Sequence, residues 1–204
     1  MKRKGKVFID ANMIIHAGSF QKTDVFQWLN QLYEEIYIHI EVLNELQVAS
    51  VRKKADQFIA SGQWILFDPQ AETLIPTEEL YDLYVIYLRE MRKAFYQLDV
   101  KKEAEGRRLK NTNDLGEIHS LAAAMLLSAG IICSNDLDIR EVIEDAPIYI
   151  TIEEDEESVL MQQDTLEDFC YFVISHEIAE RSMVRKFFKA IQPQKMEKFD
   201  RRIT

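Results

Sequence analysis

The feature that most constrains this chain is a set of short apolar runs, separated by helical segments, one of which ends directly on an acid and another just before a pair of acids. Val7-Phe8-Ile9 runs into Asp10, and Ile131-Ile132-Cys133-Ser134 is followed at once by Asn135-Asp136-Leu137-Asp138. Short runs rich in β-branched residues and bounded by turn residues read as buried strands. On this basis strands are expected over 6–10, 36–40, 64–67, 131–134 and 147–152. Between them apolar residues recur at helical spacing over 23–35, 41–48, 51–60, 77–98 and 114–129, with Gly62 and Gly130 as stops. Strands alternating with helices predict an α/β fold with a central parallel sheet of about five strands.

This alternation spans residues 6–152, read as the main domain, with a helical insertion over 70–112. The insertion's helix sets Leu80, Leu83, Tyr84, Tyr87, Leu88, Met91 and Phe95 on one face. It leads into a basic stretch, Arg89, Arg92, Lys93, Lys101, Lys102, Arg107, Arg108 and Lys110, and then a turn at 111–113. Residues 153–204 read as an acidic connector, 153–157, and a C-terminal helical extension. Its helix starts near Thr165, where Thr165 and Asp168 have capping-box spacing. Phe169, Phe172, Val173, Phe187 and Phe188 give the extension an apolar face.

Composition narrows the functional classes. Hydrophobic residues make up 47%, enough for a buried core. The net charge of −10 argues against non-specific, high-affinity nucleic-acid binding, which relies on Lys and Arg contacts to phosphates. It is compatible with a carboxylate-rich metal site. No apolar run reaches the ~18 residues of a spanning helix. Asp10 interrupts any signal-peptide core after the basic start, so the cytoplasm is the expected location and no membrane contact is expected. Cys133 and Cys170 both sit in apolar surroundings and read as two buried thiols.

In an open parallel sheet, ligands bind beyond the carboxyl ends of the strands. Asp10 closes the first strand, and Asp136 and Asp138 follow the fourth. A helix returning to the sheet runs antiparallel to the strands, so its amino end lies at the same edge. Glu45 stands in the first turns of the helix after the second strand, and Glu117 in the first turn of the helix before the fourth. Clustered hard oxygen donors suit Mg²⁺ or Mn²⁺ rather than Zn²⁺. Without a cation such acids repel one another and some take up protons. Each acid also has a plainer reading. Asp10 can serve as a strand-end turn residue, Glu45 as a solvated helix acid, and Asp136 and Asp138 as a helix start. Asp114-x-x-Glu117 has capping-box spacing, which makes Asp114 the rival to Glu117. The joint placement is what favours a metal site.

Taken together, these segments resemble the PIN-domain family of VapC-like metal-dependent ribonucleases. V-F-I-D-A-N, residues 7–12, is similar to the family's opening motif, and V-L-N-E-L, residues 42–46, to its second. E-I-H-S-L-A-A-A, residues 117–124, is similar to the third, and I-I-C-S-N-D-L-D-I, residues 131–139, to the fourth. The resemblance implies a three-layer fold. It implies metal ligands at Asp10, Glu45, Glu117 and Asp136, an additional ligand or supporting acid at Asp138, and hydrogen-bonding support from Asn12 and Ser134; Asp114, the rival to Glu117, is expected among the supporting residues. It further implies Mg²⁺- or Mn²⁺-dependent endonucleolytic hydrolysis of single-stranded RNA by metal-activated water. Many members of the family are toxins of toxin–antitoxin pairs. A compact toxin usually lacks the insertion and the extension. They weaken the toxin reading and leave beside it, as an alternative, an RNA-processing enzyme or a protein whose added parts bind a partner or a second copy through the aromatic insertion helix or the C-terminal helix.

Two other classes stand beside this reading. A phosphatase of the haloacid dehalogenase type also opens with a strand and Asp, but wants an acid two residues later, where this chain has Asn12. A non-catalytic interaction module of the same fold would work through its added helices. A dinucleotide-binding fold is disfavoured, since no glycine-rich turn follows the first strand. Two readings of the basic stretch remain, an RNA-binding arm or a solvated face interleaved with acids. The aromatics from Tyr81 to Tyr96 suit base stacking or, at helical spacing, a core or dimer face. His16 and His119 are expected to be structural, and His39 a strand residue.

Overall fold

In chain order the elements are β1 (Arg3–Ile9), α1 (Ala11–Ser19), α2 (Val25–Leu32), β2 (Tyr33–His39), α3 (Ile40–Glu45), α4 (Ala49–Ala60) and β3 (Trp64–Phe67). There follow α5 (Glu78–Ala104), α6 (Leu115–Leu126), β4 (Ile131–Cys133), α7 (Leu137–Asp145), β5 (Tyr149–Ile150), β6 (Val159–Leu160) and β7 (Gln162–Asp164). The chain ends with α8 (Leu166–Ser175), α9 (Arg181–Ile191), a 3-10 turn (Pro193–Lys195) and α10 (Met196–Arg202). This computed structural model describes residues 2–110, 114–151 and 157–204. The turn expected at 111–113 and most of the acidic connector, 153–156, lie outside the described residues.

Side chains alternate across a strand, and that alternation divides the core into two. Val7 and Ile9 of β1, Ile36 and Ile38 of β2, and Ile131 and Cys133 of β4 enter one core. There they meet Ile14, Leu29, Phe58, Phe169, Phe187 and Phe199 from α1, α2, α4, α8, α9 and α10. Phe8, Tyr37 and Ile132 point the other way and meet Tyr84 and Phe95 of α5, Leu121 of α6 and Val142 of α7. The strands are thus covered on both faces, which is why they read as continuous apolar runs rather than as alternating ones. The result is the expected three-layer α/β arrangement with a five-stranded parallel sheet, in the order β3-β2-β1-β4-β7.

The fifth strand is not the one expected. The apolar segment 147–152 contributes β5, which pairs antiparallel with β6 in a separate two-stranded ribbon, while Ile148 and Ile150 are buried in the second core. The sheet's fifth strand is β7, Gln-Gln-Asp, drawn from beyond residue 152. An edge strand needs main-chain pairing and only one buried side chain, so apolar periodicity does not announce it. The helix expected over 23–35 also stops early, at Leu32, because Tyr33–Glu35 join the ladder beside β1.

The added segments pack as part of these cores. In α5 the buried face is Tyr84, Leu88, Met91, Ala94, Phe95 and Leu98, so the aromatic Tyr84 belongs to the core, while Tyr81 and Tyr96 are exposed. The capping box at Thr165 and Asp168 is present at the start of α8. Both cysteines are free and buried.

Candidate metal centre

Sheet register sets the first acids side by side. Ile9 pairs with Cys133, so the residues that follow them, Asp10 and Ser134, leave neighbouring strands at one edge. Ser134 Oγ donates to Asp10 Oδ2 at 2.8 Å, the Ala11 N–H donates to Oδ1 at 2.7 Å, and Asn12 Nδ2 approaches Oδ2 at 3.3 Å. Asp10 thereby caps α1 while only 4% exposed. Ser134 Oγ in turn accepts from the Asp136 N–H at 3.1 Å, and Asp136 caps α7 by accepting from the Asp138 N–H at 2.9 Å. One hydroxyl therefore ties the two strand-end acids together, each at a helix amino end that favours a carboxylate.

Two helices bring the remaining acids. α3 is short, and Glu45 is its last residue rather than part of its opening turns. The Gly116 N–H donates to Glu45 Oε1 at 3.1 Å. A Cβ at position 116 would lie 2.6 Å from that oxygen and 3.2 Å from Val42 Cγ2, so any side chain there would push the Glu45 carboxylate aside. Asp114 occupies the cap position of α6 with φ 44°, a left-handed conformation that Asp tolerates better than most residues. It makes no side-chain capping bond, so the expected Asp114–Glu117 capping box is not formed. Instead, carboxylate oxygens of Asp114, Glu117 and Asp136 lie within 4.8 Å of one another, the one such acidic group among the described residues. These three line an open cleft of about 550 Å³ together with Asn12, Glu45 and Leu115.

The electrostatics are those of an under-neutralised site. Burial, and then the charges of Asp10, Asp136 and Asp114, push Glu117 up to about 8. Burial raises Asp10 against the lowering effect of its bonds to Ser134 and Ala11, with Asp136 adding to the rise. Glu45 is open to solvent on one side, but its contact with α6 desolvates the carboxyl and raises it, and the charge of Asp10 adds to this. Each of the three is held toward its neutral form by burial and by its neighbours. An all-oxygen donor set in this state fits a hard divalent cation, which would relieve the repulsion.

Asp138 is placed differently. Its carboxylate lies 2.6 Å from the buried Lys102 ammonium and 2.7 Å from that of Lys110. Burial opposes its ionisation, but these two partners lower its pKa overall. It does not join the three mutually close acids. Half of the basic stretch is committed to α7 as well. Lys101 pairs with Asp145, and Arg107 grips Glu141 through both terminal nitrogens. Four cations that looked available for RNA thus dock α5 and the segment after it on α7.

Several contributors carried no signal in the sequence. Gln163 of β7 donates through Nε2 to the carbonyls of Ser134 and Asp136, bracing the loop that presents Asp136. Gly116 is equally silent in sequence, since it acts only across a tertiary contact, and the two lysines stood out only as members of the basic stretch, not as partners of Asp138. Two histidines, His39 and His119, are tied to one tyrosine. The Glu41 N–H donates to His39 Nδ1, which leaves the His39 proton on Nε2, facing the Tyr84 hydroxyl at 3.0 Å. Tyr84 then donates to His119 Nδ1 at 2.7 Å. Burial, followed by the charge of His119, lowers His39 from 6.5 to about 3.

Two predictions arise here. Because His39 is held neutral in the fold, it favours folding above its unfolded pKa of 6.5, and this contribution is lost as pH falls toward 3. Asn at position 39 keeps a capping oxygen but removes the titration. Urea unfolding should therefore show wild type losing about 2 kcal/mol more than His39→Asn between pH 6.5 and pH ~4.5. A parallel pH dependence in the two proteins would contradict this. Gly116→Ala should displace Glu45 while leaving stability within about 1 kcal/mol, since helix propensity favours Ala over Gly by a similar amount. Mn²⁺ affinity should fall about tenfold, the lower range for loss of a hydrogen-bonded support to a ligand. Unchanged Mn²⁺ titration would show that Glu45 has no part in the site.

Compared with protein-family models and with curated proteins, the chain matches none. Among solved structures it is similar to a chain of VapBC2 from Rickettsia felis, crystallised bound to a DNA fragment from the promoter. Identity is 16% and the TM-score 0.40, and the match covers 67% of this chain and 91% of that one.

Proposed function

We propose that the protein is a PIN-type endoribonuclease, dependent on Mg²⁺ or Mn²⁺, that hydrolyses phosphodiesters in single-stranded RNA. The observation that carries this reading is the mutual approach of Asp114, Glu117 and Asp136 beside Asp10, at the sheet edge where ligands of open α/β folds bind. Asp114, Glu117 and Asp136 would hold the cation, with Asp10 and Glu45 completing the negative rim. A bound divalent ion supplies Lewis acidity toward the phosphoryl group and a more acidic coordinated water. The chain supplies the alignment. Ser134 and the Ala11 N–H fix the Asp10 carboxylate, and the Gly116 N–H fixes Glu45. Leu115, 41% exposed at the cleft, offers an apolar surface against which a base can lie. Asp138 acts as the anchor of Lys102 and Lys110 rather than as a ligand.

Among the described residues no helix is long and apolar enough to cross a membrane. A cytoplasmic setting, where RNA is the substrate, accords with the proposal. A protein partner or a second copy would meet the outer face of α5, where Tyr81, Ile86, Tyr96 and Val100 are exposed. The test is cleavage of a labelled single-stranded RNA pool with Mg²⁺ or Mn²⁺, with chelator, and with Asp136→Asn. Metal-dependent cleavage that Asp136→Asn abolishes is expected. Cleavage that persists in chelator, or none across the pool with either metal, rejects the proposal.

A further inference from the structure

The cleft already holds a cation, and it is part of the chain. Lys110 Nζ lies 3.5 Å from Asp114 and 2.7 Å from Asp138, and it is hydrogen-bonded to Asp136 Oδ2. Two of these acids, Asp114 and Asp136, belong to the group of three whose oxygens lie within 4.8 Å of one another. Lys110 also lines the same cleft.

Its neighbour in the ion-pair cluster behaves differently. Lys102 is only 3% exposed, pairs with Asp138 and is fixed within α5. That pair is enclosed within the fold. Lys110 lies beyond the end of α5, and its side chain is 32% exposed on a long flexible stem. One lysine is therefore built in, and the other has room to withdraw into water, where an ammonium is well solvated.

We propose that Lys110 is an internal counter-cation that neutralises the Asp114–Asp136 edge and competes with a divalent ion for it, so that metal binding requires Lys110 to be displaced. This rests on the metal-centre reading above. An ammonium and a divalent ion cannot share the same carboxylate oxygens at bonding distance, since like charges so close repel strongly. Site occupancy by Lys110 therefore acts as an equilibrium ahead of metal binding, and the apparent Kd exceeds the intrinsic one by the inverse of the fraction of time that the acids are open. If Lys110 covers them for about nine-tenths of the time, the penalty is about tenfold. The lysine keeps an acid-rich cleft folded at low metal and sets a threshold concentration for loading it.

The experiment is Mn²⁺ titration of the full chain, followed by the paramagnetic resonance of free Mn²⁺, with thermal melting of the metal-free and Mn²⁺-loaded protein. Lys110→Met should bind Mn²⁺ about tenfold more tightly than wild type, melt at a lower temperature without metal, and show the larger Mn²⁺-induced rise. Lys110→Arg retains the charge and should bind within about twofold of wild type. Where Lys110→Met does not fold, Lys110→Gln supplies a neutral, polar side chain whose Mn²⁺ binding is compared with that of the charged Lys110→Arg. Equal or weaker Mn²⁺ binding by the neutral variants overturns the competition and makes Lys110 a bystander or a support for the metal. If neither wild type nor any variant binds Mn²⁺, it is the metal-centre reading that has failed, not the ordering of the variants.

Discussion

Asp10→Asn should abolish most of the RNA cleavage while making the metal-free protein more stable. Asp10 is buried, and burial raises its pKa, with Asp136 adding to the rise. The linkage has a definite sign. A carboxyl whose folded pKa lies above its unfolded value favours folding fully below the unfolded pKa, near 3.8, and that support is lost as pH rises. At neutral pH the buried Asp10 carboxyl is therefore a cost, carried by the fold in the absence of metal. Asn keeps an acceptor for the Ala11 N–H and removes the charge. A gain of about 1 kcal/mol corresponds to a rise in Tm of about 2–4 °C for a domain of this size. The same change removes a charge from the proposed cation site. Cleavage should fall on the order of 10²- to 10³-fold, as when one preorganised electrostatic group is lost. Saturating Mn²⁺ should raise the Tm of wild type and leave the variant nearly unmoved. Residual cleavage above one-tenth of wild type would sink the role of Asp10. A lower metal-free Tm would show that its charge is structural rather than functional.

The second large effect concerns the C-terminal segment. Phe187 of α9 is 1% exposed and meets Phe20, Trp28 and Phe169 edge-on, at centroid distances of 5.4, 5.9 and 6.5 Å. These partners come from the end of α1, from α2 and from α8, so the ring joins parts of the chain far apart in sequence. Truncating a buried Phe to Ala costs about 3–5 kcal/mol, against a total stability of about 5–15 kcal/mol. Phe187→Ala should lower Tm by about 10 °C. Removing residues 161–204 altogether should do more. It strips β7 from β4, leaves an exposed sheet edge, and uncovers the first core where Leu166, Phe169, Val173 and Phe187 now lie. The shortened chain is expected to show no cooperative melting transition. A chain ending at residue 160 that melts like wild type would establish the segment as an appendage.

These expectations separate what is local from what is not. The strand-ending acids Asp10 and Asp136 are readable in sequence because burial on both faces makes β1 and β4 continuously apolar, and the break in that run marks the sheet edge. The capping box at Thr165 and Asp168 is readable because it is closed within three residues. The pairing of α5 with the second core is readable from its helical period. By contrast β7 is polar and paired only through its main chain, so no pattern distinguishes it from a loop. Asp114 sits in capping-box spacing, yet its left-handed backbone turns it toward Glu117 and Asp136 instead. Gly116, Gln163, Lys102 and Lys110 act through contacts between residues far apart in the chain, or across the end of a helix. By itself, then, the sequence determined the layered α/β class and the edge at which acids gather. The tertiary structure decided which acids meet, which one is diverted to lysines, and which strand completes the sheet, because those outcomes depend on register and packing between distant segments rather than on any local preference.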